Sequence, residues 1–278
     1  MVARNAMSFK VFFRWVAMRA LLTLSFVTLL FIGGKAQGAC APLVFGYFDQ
    51  SSPPYYLGAG STTPEPPGVT VDLMREITTS VGCMLILKRL PSTRLQSSIE
   101  SGAITAAAFG VLGHEAAQVV FPRDANGQVD KGRSLQQIIV VFVRKNVPID
   151  SDPAIYFKGR TLGTTHGVPY GNALRAAGYV LDDGAMDPKS SFDKLMLHRI
   201  DGYATALVNP GDMDAVVDSR YGGALVRLSQ PLFVTKISLA INKEYYANNR
   251  VQVEQMWDWI GKNANRRFAE LLQKYEEQ

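Results

Sequence analysis

The clearest candidate for binding chemistry is a glycine-rich turn in the second half of the chain. Gly167, Val168, Tyr170 and Gly171 follow a short predicted strand and lead into a predicted helix. The first N–H groups of a helix have no intrahelical partner, and they lie at the positive end of the helix dipole. The backbone of such a turn can therefore hold a carboxylate or a phosphate. An ordinary strand-to-helix turn is the alternative interpretation.

Arg94 is the side chain best suited to hold an anion. It follows the predicted strand 84–89 at the start of a predicted helix. A guanidinium there could bind a carboxylate with two parallel hydrogen bonds, although it could also be an exposed arginine on the helix surface. If Arg94 contacts a ligand, Arg94→Ala should weaken binding at least tenfold, because losing a hydrogen bond to a charged group costs more than ~1.4 kcal/mol.

Other kinds of site are not indicated. The histidines at 114, 166 and 198 have no metal-ligand spacing with one another or with the two cysteines. No nucleophile elbow is present, and the glycines near 110 and 167 lack the Gly-Lys-Ser/Thr of a phosphate loop. We therefore predict no metal, no cofactor and no catalytic residue.

The amino-terminal segment is typical of a secretory signal. Basic residues precede an uncharged run of 13 residues at 20–32, and small residues follow it. This run is short for a membrane span, which needs about 20 residues. We predict a signal peptide over 1–38 with cleavage after Gly38 or Ala39, and hence a periplasmic protein. Lipidation at Cys40 and an uncleaved anchor are the alternatives.

Composition and charge exclude several classes. Of the 278 residues, 47% are hydrophobic and 19% are charged, so the chain can bury a core in one large domain or two smaller ones. Segment 1–38 holds five of the 29 basic residues and no acidic residue, which leaves 24 of each sign in the remainder. The remainder therefore has no basic footprint for nucleic acid.

The pattern of apolar residues predicts two successive α/β series, which indicates parallel sheets flanked by helices. Ser92 or Thr93 is expected to cap the second helix through its side chain. The predicted strands are 43–48, 84–89, 104–111, 138–143, 161–164, 202–208 and 236–242, and the predicted helices are 69–81, 92–99, 172–177, 191–197 and 245–275.

The two cysteines each precede a predicted strand. Cys40 comes before the strand at 43, and Cys83 comes before the strand at 84. If these strands are parallel neighbours, the two thiols start side by side and can form a disulfide in an oxidising compartment. The closed loop of about 44 residues would stabilise the fold by ~4 kcal/mol in the chain-entropy model. Two free thiols are the alternative.

Five short motifs, in order along residues 40–275, resemble the periplasmic solute-binding proteins of the polar amino-acid transporter class, bacterial extracellular solute-binding family 3. They are Leu43-Val44-Phe45-Gly46 leading to Pro53-Pro54-Tyr55-Tyr56, Gly68-Val69-Thr70-Val71-Asp72-Leu73, Glu100-Ser101-Gly102-Ala103-Ile104, Lys158-Gly159-Arg160-Thr161-Leu162-Gly163 followed by the 167–171 turn, and His198-Arg199-Ile200-Asp201-Gly202-Tyr203.

The resemblance implies an α/β, two-lobed, type II periplasmic-binding-protein fold. Each lobe has a mixed or parallel sheet flanked by helices, and two crossing hinge strands join the lobes. Lobe 1 would be 39–142 plus 237–278, and lobe 2 would be 143–236. A small-molecule ligand would lie between the lobes, at the carboxyl ends of the strands, and hinge closure would present it to an ABC permease.

The resemblance also implies which residues contact the ligand. Gly110, Val111 and Leu112 correspond to a segment that contacts ligand in the family. An aromatic side chain after the first strand would stack on the ligand, with Tyr47, Phe48, Tyr55 and Tyr56 as candidates. Asp49 stands where some cationic amino-acid binders meet a ligand ammonium.

The departures from the family are equally informative. The family's carboxylate-binding Arg corresponds to Glu115, and its ammonium-binding Asp corresponds to Ala206. An α-amino acid would then need other partners, since an unpaired buried charge is costly. Arg94 with the 167–171 turn could replace the carboxylate partner, and Asp49 or Glu115 could replace the ammonium partner. The alternative is that the ligand is not an amino acid.

The predicted function is capture of a small polar solute, an amino acid or a related amine or organic acid, for an ABC-type transporter by a monomeric protein that is not an enzyme. One alternative is an enzyme that resembles the cyclohexadienyl dehydratases, with Glu115 as its acid. The other is the binding component of a sensor or an electron-transfer pathway.

Overall fold

The computed structural model describes residues 40–110 and 117–276. The predicted signal segment 1–38, and with it the cleavage site, lies outside these residues, as do Val111, Leu112 and Glu115. In chain order the elements are β1 Leu43–Phe48, α1 Val69–Ser80, β2 Leu85–Leu90, α2 Ser92–Glu100, β3 Ala106–Gly110, β4 Val119–Val120, β5 Leu135–Arg144, α3 Pro153–Tyr156, β6 Thr161–Thr165, α4 Tyr170–Ala176, β7 Val180–Ala185, α5 Pro188–Met196, β8 Gly202–Leu207, α6 Asp214–Tyr221, β9 Leu225–Arg227, β10 Phe233–Asn242, α7 Lys243–Asn248 and α8 Arg250–Glu276.

The strands form one continuous mixed sheet in the order β2-β1-β3-β10-β5-β8-β6-β7. β1 runs parallel to β2 and β3, and β6 runs parallel to β7 and β8. We call β2-β1-β3 the first sheet half and β8-β6-β7 the second sheet half. Between them lie the ten-residue strands β5 and β10, which are antiparallel to each other and to their outer neighbours. The predicted lobe boundaries, 142/143 and 236/237, fall inside these two strands and remain a proposal.

Helices α1 and α8 cover the first sheet half. The predicted four-residue spacing in α1 places Val69, Leu73 and Ile77 on one buried face. α8 packs against it with the apolar face that the sequence predicts, including Trp257, whose side chain is 1% exposed. The Trp257 Nε1–H donates to the Leu239 carbonyl oxygen at 2.8 Å, which fixes α8 on β10. Burying each such large side chain contributes about 1.5–3 kcal/mol.

The predicted disulfide is confirmed. β1 and β2 are parallel with Leu43 opposite Leu85, and Cys40 is bonded to Cys83 with their Cα atoms 5.1 Å apart. The Tyr245 hydroxyl donates to the Ala41 carbonyl oxygen at 2.7 Å and ties the start of this segment to α7. Because the Cys40 sulfur is in the disulfide, it is not free for lipid attachment.

The predicted side-chain cap of α2 is wrong. The capping residue is Pro91, and Ser92 is already helical. The Ser92 hydroxyl instead donates to the His166 carbonyl oxygen at 3.2 Å, in the loop after β6. The Ser92 hydroxyl therefore makes a tertiary hydrogen bond to the second sheet half in place of the local cap that sequence rules predict at the helix end.

Five elements were not predicted from sequence, and these are β4, α3, β7, α6 and β9. β7 lies at the edge of the sheet and contains Asp182 and Asp183, so it lacks the apolar pattern of a buried strand. β9 is only three residues long.

The predicted helix 245–275 is divided at Asn249, and Asn242 caps α7 by accepting hydrogen bonds from the N–H groups of Glu244 and Tyr245. None of the described helices is long and apolar enough to cross a bilayer.

Candidate functional site

The ends of β1, β3, β6 and β8 border a cleft between the two sheet halves. This is where an open α/β sheet offers loops and helix starts to a ligand. The cleft holds a first cavity of about 200 Å³ and a second cavity of about 280 Å³. The two adjoin along a common wall, which consists of Ser92, Gly110, Thr165, His166, Val168 and Pro169.

The first cavity is lined by both apolar and hydrogen-bonding side chains. Its apolar lining includes Leu73, Met74 and Ile77 of α1 and Phe268 of α8. Its amide and hydroxyl lining includes Gln50, Ser51, Ser52, Gln137 and Thr205. Among the described residues that line it there is no Asp, Glu, Lys or Arg.

The second cavity is more polar, and it carries an ion pair. Arg175 Nη2 lies 2.6 Å from Asp183 Oδ2, and this hydrogen bond holds the pKa of the Asp183 carboxyl below its usual value. Both side chains are exposed, so the pair contributes little to stability. Thr164 is 1% exposed, and its hydroxyl has no hydrogen-bond partner among the described residues.

The predicted turn lies at the cleft. Gly167, Val168 and Gly171 line the second cavity, while Val168 and Tyr170 line the first. Gly167 has φ +71°, and a Cβ there would lie 2.6 Å from Ser92 Oγ, so the turn needs glycine both for its backbone and for the close approach of α2. The ring of Tyr170 is buried, which raises the pKa of its hydroxyl.

Tyr55 and Tyr56 both line the first cavity. The Tyr55 hydroxyl donates to Asp212 Oδ2 at 2.7 Å and accepts from the Val208 N–H at 3.0 Å. The Tyr56 ring stacks on Tyr47 with 5.6 Å between centroids, and burial raises the pKa of Tyr56 to about 12. Both rings therefore combine core packing with a face on the cavity.

The structure places two charged candidates outside both cavities. Arg94 is exposed and lines neither of them. Asp49 is partly buried, and its Oδ1 has no partner in the described chain, but it too lines neither cavity. Gly110 lines both cavities. The remaining candidates, Val111, Leu112 and Glu115, lie outside the described residues.

Sequence reasoning missed several residues of the cleft. Gln137 lies on a crossing strand, and Phe268 comes from the far end of the chain. Asp212 lines neither cavity, but it accepts a hydrogen bond from the lining residue Tyr55. It follows β8 after an Asn-Pro-Gly sequence, so the rule that strand ends carry site residues would have selected it. Ala206, the position that the resemblance assigns to an ammonium-binding Asp, does line the first cavity.

Comparison with known proteins supports the fold. No family model matches the sequence, and no curated protein matches it. The P235GK mutant of ArgBP from T. maritima matches with a TM-score of 0.61 and 17% identity, over 86% of this chain and 96% of that one. The GluR0 ligand-binding core from Nostoc punctiforme, in complex with L-glutamate, matches with a TM-score of 0.62 and 15% identity, over 84% and 99%. This chain has the type II periplasmic-binding-protein fold.

The binding-protein fold confirms the predicted architecture of two α/β lobes joined by crossing strands, which are β5 and β10. A third structure with this fold is a histidine kinase sensor domain with similarity to periplasmic binding proteins, with a TM-score of 0.62 and 16% identity, over 84% of this chain and 95% of that one. At these identities the likeness concerns the fold, and arginine and L-glutamate are ligands of the other proteins.

Proposed function

We propose that this protein is a periplasmic substrate-binding protein, not an enzyme, and that it captures a small solute between its two lobes. The observation that carries the proposal is the pair of adjoining cavities at the strand ends, whose common wall contains residues of both sheet halves. A ligand that contacts both lobes stabilises the closed arrangement and so drives hinge closure. The closed form would then be presented to an ABC permease.

Two other features support the proposed periplasmic location. A disulfide between Cys40 and Cys83 supports an oxidising compartment, and the predicted signal segment supports export. The sequence resemblance taken alone predicts an amino acid, a related amine or an organic acid as the solute.

The proposal is tested by a thermal-shift screen of the purified protein against amino acids, amines, organic acids and small alcohols. A ligand at 100 times its dissociation constant should add ~2.7 kcal/mol to the free energy of unfolding. Small-angle scattering with each hit should show a smaller radius of gyration. Binding without compaction would contradict hinge closure, and no hit in any class would contradict solute capture.

A second candidate is the binding component of a sensor, which the likeness to the histidine kinase sensor domain favours. Solute capture is common to both, so the membrane partner distinguishes them. Neighbouring genes for a permease and an ATPase would support transport, whereas a neighbouring kinase without a permease would support sensing.

A further inference from the structure

No charged side chain occurs among the described residues that line the first cavity. The described residues that line it offer hydroxyls, amides, one imidazole and many apolar groups, but no carboxylate, ammonium or guanidinium. His166, the imidazole, has its Nδ1 3.3 Å from the Asp183 carbonyl oxygen. The charged pair of Arg175 with Asp183 lines only the second cavity, and its members neutralise each other.

An ionised ligand would be poorly accommodated in this cavity. A buried carboxylate or ammonium is stable only when it is paired with an opposite charge and fully hydrogen-bonded. At Ala206, where the resemblance places a carboxylate for an amino group, the side chain is a methyl group. The described lining therefore contains no ionic partner for the carboxylate or for the ammonium group of an amino acid.

The same cavity suits a molecule with an apolar body and one uncharged polar end. Leu73, Ile77 and Phe268 supply apolar lining, while Gln137 and Thr205 supply hydrogen-bonding groups. An amide can both donate and accept, as a neutral hydroxyl or amide of a ligand requires. A cavity of about 150 Å³ lined by apolar side chains binds benzene, so the volume of about 200 Å³ matches one ring with a short polar substituent.

We infer that the ligand of the first cavity is an uncharged organic molecule, with a ring-sized apolar body and a hydroxyl or amide end, and not a zwitterionic amino acid. This inference rests on the proposed function, because it names the class of solute that the cleft captures.

The test compares probes with one apolar body and different head groups. The probes are 2-phenylethanol, phenylacetamide, phenylacetate, 2-phenylethylamine and L-phenylalanine, with L-arginine and L-glutamate added, and titration calorimetry with the purified protein measures each affinity. We expect 2-phenylethanol or phenylacetamide to bind at least tenfold more tightly than every charged probe. Equal or tighter binding of a charged probe would overturn the inference while leaving solute capture intact. No binding by any of the seven probes would contradict the inference and, with an empty wider screen, the proposed function as well.

A substitution in the lining supplies an independent readout. Ala206→Asp places a carboxylate in the first cavity. It should therefore weaken the binding of the neutral probes at least tenfold and raise the affinity for 2-phenylethylamine relative to theirs. The matched control is Ala247→Asp, which adds the same charge at an exposed position on α7 and should leave all affinities unchanged. A thermal transition first shows that the Ala206→Asp variant is folded. If this folded variant has the same order of probe affinities as the original protein, the ligand binds outside the first cavity and the inference is overturned.

Discussion

Tyr55 and Asp212 join the two sheet halves through a buried hydrogen bond of 2.7 Å, although they are 157 residues apart in the chain. Tyr55 lies in the loop after β1, and Asp212 lies in the loop after β8. The Asp212 carboxylate also accepts from the Asn209 N–H at 2.8 Å, and the Tyr55 hydroxyl accepts from the Val208 N–H. This contact and the Ser92–His166 hydrogen bond both link the two sheet halves.

Tyr55→Phe should favour the open form. The change leaves the Val208 N–H without its partner and removes one of the two donors to Asp212 Oδ2, which still accepts from the Asn209 N–H. This costs about 1–3 kcal/mol in the arrangement where the two loops meet. We expect a larger radius of gyration without ligand, measured by small-angle scattering. Tyr246→Phe is the control, because it removes a hydroxyl that bonds Glu254 within one region of the fold. An unchanged radius in Tyr55→Phe would mean that this hydrogen bond does not control closure.

Alkaline pH should destabilise the protein through its buried tyrosines. Burial raises the pKa of Tyr56 to about 12, and it raises the pKa values of Tyr55, Tyr170 and Tyr203 as well. An unfolded tyrosine has a pKa of about 10. The folded state therefore holds these protons more tightly, and its stabilising contribution is complete below pH 10 and is lost as pH rises towards 12.

Denaturant unfolding measured at several pH values would check this dependence. The free energy of unfolding should fall between about pH 10 and pH 12, and ultraviolet titration should show a group of tyrosines that ionise only above the ordinary range. A single ionisation step near pH 10 for all tyrosines in the folded protein would contradict the prediction.

Removal of the disulfide should lower stability without changing the site. The bond joins residues separated by 43 positions, so the double substitution Cys40→Ser with Cys83→Ser should lose about 4 kcal/mol of unfolding free energy in the chain-entropy model. Affinity for any ligand of the folded protein should be unchanged, because neither cysteine lines a cavity. Equal urea midpoints for the oxidised and reduced proteins would show that the bond does not constrain the unfolded chain.

Gly167→Ala should be more harmful than Gly159→Ala. Both glycines have nearly the same φ, +71° and +72°, so the backbone penalty of about 1–2 kcal/mol is shared. Only at Gly167 would the new Cβ meet another group, Ser92 Oγ at 2.6 Å, whereas nothing lies within 4 Å at Gly159. We expect a further loss of stability and weaker ligand binding in Gly167→Ala alone. Equal effects of the two substitutions, measured by urea unfolding and calorimetry, would show that α2 does not approach the turn closely in solution.

Local sequence patterns predicted the parts of the fold that depend on neighbouring residues. The apolar spacing of α1 and the alternation of strands with helices reflect side-chain periods that are visible in any window of the chain. The disulfide could be predicted because each cysteine precedes a strand, and parallel neighbours start at the same edge. The turn at Gly167 was found by the same local logic, since strand ends and helix starts are recognisable from sequence.

Position within the cleft depends on tertiary structure. Arg94 and Ser92 are two residues apart at the start of α2, yet the packing of that helix leaves Arg94 exposed and puts Ser92 in the common wall of both cavities. Asp212 has its structural role because it accepts a hydrogen bond from Tyr55. The two residues are too far apart in the chain for one local sequence window to contain both. The sequence alone therefore determined the long helices, the buried strands, their order and the disulfide, because these follow from side-chain periodicity and strand ends. The tertiary structure decided which side chains meet across the cleft, because that depends on contacts between residues far apart in the chain, 74 positions for Ser92 with His166 and 157 for Tyr55 with Asp212.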